Sequence, residues 1–190
     1  IPESAVPGTV DNVTVKATGN GVSDNYYCLA ISGRQIRSTL DDTQAVEGTP
    51  TRAAGAQTFM YVGSSTTGGY NDERAFLKFD LRGIASRDNI TSKGARLFVY
   101  GFTVGGTPGK NVDLRRVEND NWVEENVTWN DQPAYGTSID TKTVTEAATW
   151  YSWDVTSYVD AQFTTPNDNI ASFCIKPETE DRAYPDNFSY

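Results

Sequence analysis

Three short runs in which apolar and polar residues alternate, Glu73 to Leu81, Ala95 to Tyr100 and Val112 to Val117, constrain this chain more than any other feature. A period of two sends successive side chains to opposite faces of an extended strand, and the Gly, Asn and Asp clusters between the runs are turn formers. Further strands are expected at Val10 to Ala17, Tyr26 to Ile31, Gln35 to Leu40, Thr58 to Val62, Ala147 to Trp153 and Ala171 to Lys176. Asp154 to Val159 predicts a short helix with Asp154 or Thr156 as its N-cap, and Gly63 to Gly69 is loop by composition. So many short strands, with no long helix and no repeat, predict an all-β fold, a jelly-roll β-sandwich of two antiparallel sheets. Residues 1–17 read as an extended N-terminal segment bearing Pro2 and Pro7, and residues 18–190 as the sandwich domain, ending in loop or edge from Pro185.

At 190 residues the chain predicts one hydrophobic core. Its 25 acidic and 16 basic residues leave a net charge of −9, which disfavours nucleic acid and anionic membranes, because phosphate binding needs a cationic patch. No apolar run approaches the roughly 20 residues that cross a bilayer. The chain starts at Ile1 with neither an initiator Met nor a signal peptide, as a mature, processed product would. It contains no histidine, which removes Ser–His and Cys–His nucleophile pairs and the commonest transition-metal ligand. Glu124, Glu125, Asp131 and Asp154 could in principle furnish a paired-carboxylate glycosidase, but the simpler reading is solvated loop carboxylates, and no enzyme is expected.

Cys28 and Cys174 each lie in a strand-like run and predict a disulfide between an early and a late strand. It would close a loop of about 146 residues (174 − 28), worth roughly 4 to 5 kcal/mol in the chain-entropy model; the alternative is two buried thiols. Four sequons, at Asn12, Asn89, Asn126 and Asn187, predict covalent N-glycans. In the first strand Val13, Val15 and Ala17 share one face, leaving Asn12 on a face that can be wet. Asp41-Asp42 and Asn119-Asp120-Asn121 are the densest clusters of hard oxygen ligands, which makes Asp41, Asp42 and Asp120 the candidates for a structural Ca2+, although neither cluster matches an EF-hand loop.

The aromatics divide by position. Trp150 and Trp153 fall on opposite faces of one strand, so at most one reaches solvent unless both faces are covered. Arg96, Phe98, Tyr100 and Phe102 share the face opposite Ala95, Leu97 and Val99. The flat apolar side of a pyranose packs on an aromatic ring, so Arg96, Phe98 and Tyr100, with Lys78 on a nearby strand, are the candidate contacts for an acidic polysaccharide; the alternative is that a loop covers them.

One ordered set of motifs carries a resemblance: Arg74 to Leu81, Ala95 to Tyr100, Trp122 to Pro133 and Trp150 to Thr156. Together they resemble the DNRLRE family, which includes the disaggregatase-related repeats of archaeal surface proteins and alginate-binding carbohydrate-binding modules. The resemblance covers about Phe59 to Lys176, and the stretch Trp-Val-Glu-Glu-Asn-Val-Thr-Trp-Asn-Asp-Gln-Pro from Trp122 is its most specific part. It implies a jelly-roll sandwich, secreted or on the cell surface and usually non-catalytic, in which Trp122 and Trp129 are expected to pin the connection onto the sandwich.

Two functions fit these features. The first, favoured by the sequence, is a structural glycoprotein subunit of an extracellular or cell-surface fibre, joined head to tail to copies of itself by strand complementation. The C-terminal end shows no evident closing strand, which would leave a sheet edge with open N–H and C=O groups. Val10, Val13, Val15 and Ala17 form a segment suited to pairing with such an edge in a neighbouring subunit. The alternative is a carbohydrate-binding module for an acidic polysaccharide such as alginate, against which the net charge of −9 counts.

Overall fold

The protein was analysed as a computed structural model that describes residues 27–31, 34–36, 39–57, 59–64, 72–82, 94–104, 109–163, 169–180 and 186–189. The strands are β1 (Tyr27–Ile31), β2 (Arg34–Ile36), β3 (Asp41–Val46), β4 (Tyr61–Ser64), β5 (Glu73–Asp80) and β6 (Ala95–Gly101), then β7 (Thr103–Val104), β8 (Lys110–Val117), β9 (Tyr135–Val144), β10 (Thr149–Asp154), β11 (Ile170–Pro177) and β12 (Asp186–Ser189). One helix, α1 (Thr156–Gln162), follows β10. The smaller sheet has the order β10-β6-β1-β2, and the larger runs β7-β12-β4-β5-β11-β8-β9 with β3 on the side of β5. Every pairing is antiparallel. The fold is the expected all-β sandwich.

Alternation builds the core. Leu97 and Val99 of β6, Leu29 of β1 and Trp153 of β10 face Ala75, Leu77 and Phe79 of β5, Leu114 of β8 and Phe173 of β11. Burying such side chains drives the two sheets together, and truncating a fully buried Trp such as Trp153 to Ala costs on the order of 3 to 5 kcal/mol. Val155 and Val159 carry α1 into the same core. The helix has Val155, not Asp154 or Thr156, as its N-cap residue, with no side-chain cap bond. Thr156 is instead turned toward β6, where its Oγ1 accepts the Ala95 N–H at 2.9 Å.

The outer face of the larger sheet has a second, smaller core. Phe76, Cys174, Val117 and Ala45 point away from the sandwich interior and are covered by the connection between β8 and β9, through Val127, Trp122 and Trp129. This explains why β5 is buried on both faces although its sheet has only one sandwich partner. Trp122 and Trp129 pin the connection as expected: Trp122 meets Phe76 edge-to-face at 6.2 Å, and the Arg74 guanidinium lies 4.1 Å from the Trp129 ring centre. The 47–57 loop seals the edge, so closely that a Cβ on Gly55 would stand 2.7 Å from the Glu124 carbonyl.

Two expectations are corrected here. The C-terminal stretch is a strand and not loop or edge: β12 pairs with β4 on one side and β7 on the other, so the chain supplies its own last strand. The Cys28–Cys174 disulfide is not formed, and Cys174 is a free, buried thiol. The reason is the phase of β11: Phe173 and Ile175 fill the sandwich, so Cys174 points to the opposite side, beneath the Trp-bearing connection and away from the sheet that holds β1. The N-terminal segment, with Asn12, Val10, Val13, Val15 and Ala17, lies outside the described residues, as does Asn89.

Candidate functional site

The outer face of the smaller sheet follows from the phase of β6 and β10. With Leu97, Val99 and Trp153 inside, Arg96, Phe98 and Tyr100 of β6 face outward, and Asp154, Ser152 and Trp150 of β10 stand directly opposite them. Three of the four predicted glycan contacts are thus brought onto one surface. The Tyr100 and Trp150 rings meet edge-to-face, 5.3 Å between centres and 62° between planes, a favoured arrangement for aromatic quadrupoles. Trp150 remains 38% exposed and Phe102, just beyond β6, 58%. Trp150 is the member that inspection of β6 alone misses; register joins it to Tyr100.

The other end of this strip is charged. Arg96 is exposed, and its Nη2 donates to Ser152 Oγ at 3.1 Å. The Thr156 N–H and hydroxyl, and more weakly Arg96, hold the Asp154 carboxyl below its ordinary value, so Asp154 is ionised at neutral pH. Aromatic rings followed by a guanidinium and a carboxylate can stack on a sugar ring and exchange directed hydrogen bonds with its hydroxyl or carboxylate groups.

Lys78 does not belong to this surface. Its ammonium is buried on the outer face of the larger sheet, 5% exposed, where it pairs with Asp41 Oδ2 at 2.6 Å and donates to the carbonyls of Asp120 and Trp122. It also lies 4.7 Å from the Trp122 ring centre. A long cation in the middle of a covered strand must find an internal carboxylate, and Lys78 is therefore unavailable to a ligand. Of the calcium candidates, Asp41 pairs with Lys78 through its carboxylate, whereas Asp120 meets the same ammonium only through its backbone carbonyl. Asp41 Oδ1 accepts the Glu124 N–H at 3.1 Å, and Asp42 accepts the Thr39 hydroxyl at 2.6 Å while its N–H donates to Glu124 Oε2. Among the described residues no three Asp, Glu, Cys or His side chains are grouped to hold a metal ion.

The remaining basic side chains of the covered face are also engaged internally. Arg74 forks onto Glu180 at 2.7 and 2.9 Å and donates to Gln132 at 3.0 Å; Lys176 lies 3.4 Å from Glu180, and Arg115 pairs with Asp113 at 2.6 Å. Burial pushes the Glu180 carboxyl up, but Arg74 and Lys176 outweigh it and hold the group below its ordinary value. Of the sequons, Asn126 is exposed on the connection between β8 and β9, and Asn187 falls in β12 opposite Gly63.

The structure is that of a β-sandwich module with an aromatic strip exposed on its smaller sheet. The chain belongs to carbohydrate-binding module family 96, whose sequence profile matches residues 35–188, extending beyond the 59–176 stretch of the motif resemblance on both sides. The chain is also similar to a gellan lyase from Bacillus sp, 24% identical over 157 residues. That alignment covers 82% of this chain but only 6% of the lyase, so the chain spans a small part of the length of that relative.

Proposed function

We propose that this protein is a non-catalytic carbohydrate-binding module that holds an extracellular polysaccharide against the outer face of its smaller sheet. Trp150 and Tyr100 stack on the sugar rings, and Arg96 bonds to a hydroxyl or carboxylate beside them. One observation carries the reading: Trp150 stays open to solvent next to Tyr100, while Trp153, three residues on, is completely buried. Trp150 takes no part in either hydrophobic core cluster, and indole is the most effective stacking surface among the side chains.

The ligand class is an acidic polysaccharide of the gellan or alginate kind, a reading supported by family membership, by the similarity to a protein named as a gellan lyase and by the exposed Arg96. The extracellular setting follows from that ligand. The fibre reading has lost its main motive, because β12 fills the place of the closing strand.

Electrophoresis through gels containing gellan or alginate tests this. The wild type is retarded by at least one of them. Trp150→Ala weakens that binding by about tenfold, as loss of a central aromatic anchor does, and Arg96→Ala weakens binding to the charged polymer more than to a carboxyl-reduced one. Unchanged retardation of a folded Trp150→Ala variant would refute the proposal.

A further inference from the structure

A second pair of aromatics stands on the other sheet. Phe59 just precedes β4 and Tyr61 opens it; Met60 between them and Val62 after them are buried in the sandwich core, while Tyr61 stays half-buried. The two rings meet edge-to-face at 5.2 Å with 85° between planes, and Phe59 is 43% exposed. The backbone at Tyr61 is tied down as well: Gln44 of β3, itself buried, accepts the Tyr61 N–H through Oε1 at 2.6 Å. Neither ring belongs to a core cluster, and an aromatic pair left partly open to solvent is a surface on which a ligand can stack.

Resting on the proposed function above, we infer that Phe59 and Tyr61 form a second glycan-stacking platform. Like Tyr100 and Trp150 it is an edge-to-face pair, with rings a similar distance apart and buried core residues beside it. The occupant is a sugar ring of the same polysaccharide class, because the chain belongs to a carbohydrate-binding family and the perpendicular rings offer flat apolar faces of the kind a pyranose covers. β4 belongs to the larger sheet and β6 and β10 to the smaller, so the two platforms lie on different sheets. They cannot grip one continuous short stretch of sugar. The module is therefore bivalent, engaging two segments or two chains, with a gain in avidity set by the polymer between them.

Calorimetric titration with oligosaccharides prepared from gellan and from alginate, on the wild type, Phe59→Ala, Trp150→Ala and the double variant, decides the matter. Two sites are expected in the wild type, one in each single variant and none in the double. Phe59→Trp, which keeps a flat ring, retains both and controls for damage to the fold. With the intact polymer, the wild type raises viscosity by cross-linking, and either single variant does not. A single wild-type site, abolished by Trp150→Ala and untouched by Phe59→Ala, overturns the second platform and leaves the proposed function standing. A single site lost only in Phe59→Ala supports this platform and overturns the first. Phe59→Ala that alters sedimentation but no sugar binding assigns the pair to a second copy of the chain and overturns the inference. Failure of all four proteins to bind refutes both.

Discussion

Glu73 opens β5 on the same side of the strand as Ala75, Leu77 and Phe79, and it is 4% exposed. Burial strips the carboxylate of water and pushes its pKa from an ordinary 4.5 up to about 7. The unfolded chain loses this proton near its ordinary value while the folded protein keeps it, so between about pH 4.5 and pH 7 the folded state binds more protons. Glu73 therefore leaves full stability intact below about pH 4.5 and costs progressively more as pH rises through the folded value. At 1.36 kcal/mol per pH unit, the distance from 4.5 to about 7 corresponds to at most about 3 kcal/mol. Glu73→Gln keeps the shape and removes the charge. Urea unfolding followed by Trp fluorescence should find the two proteins within about 0.5 kcal/mol of each other near pH 4.5, with the variant ahead by as much as about 3 kcal/mol above about pH 8. The difference between them isolates this one group from every other carboxylate. A difference that stays constant with pH would refute the reasoning.

The Arg74 clamp tests the covered face. Arg74→Ala strands a half-buried Glu180 and uncovers Trp129, and should cost about 3 kcal/mol by thermal unfolding; Arg74→Lys, which cannot fork onto the carboxylate, should recover only part of it. Because Glu180 is held below its ordinary value, the contribution of the pair is present above about pH 4.5 and is lost as pH falls through the lowered value, which an acid titration of the wild type against Arg74→Ala will show. Cys174 should resist alkylation in the folded protein, since burial pushes its thiol well up, and react once urea unfolds the chain; a reductant should leave the melting temperature unchanged.

The sequence announced the strands that bury one face and wet the other. β6 and β11 alternate against a sandwich core and were legible to within two residues, as was β10, including the division of Trp150 from Trp153. Strands whose burial comes from elsewhere carried no such pattern. In β3, Asp41 and Asp42 open the strand and Thr43 and Gln44 are buried on opposite faces, beside Phe76 and Ala75, so a polar run hides a fully paired element. β9 is long but nearly free of large apolar residues, with bulges against β8 that break the period, and β12 contains a single apolar residue, Phe188. The candidate surface was half legible for a related reason. Alternation within β6 finds Arg96, Phe98 and Tyr100, but only cross-strand register brings Trp150 beside them. Lys78 misled because a lysine in an alternating strand reads as solvent-facing, and whether a distant Trp-bearing connection folds over it is a tertiary fact.

The division of cations between the two faces bears on what the module can bind. Arg74, Lys78, Arg115 and Lys176 sit on the covered face and each contacts an internal carboxylate, Arg74 and Lys176 sharing Glu180, so these side chains are held inside the fold and not presented to an anionic polymer. On the smaller sheet Arg96 stands opposite an ionised Asp154, so even the local field is nearly balanced, within a protein whose net charge is −9. These groups therefore supply little long-range attraction for the proposed ligand. A polymer with a carboxylate on every ring is repelled at a distance and held only by stacking and by short hydrogen bonds, whereas one with carboxylates at wider intervals meets less of that field. Screening separates these forces, because exposed charges interact over about 10 Å at 0.1 M salt and about 3 Å at 1 M. Raising salt from roughly 0.05 to 0.5 M should leave the affinity for such a ligand unchanged or increase it, most of all for a densely charged polymer such as alginate. A steep fall with salt, like that of proteins that capture polyanions through lysine and arginine patches, would mean that cations outside those named here dominate binding and that the aromatic strip is secondary.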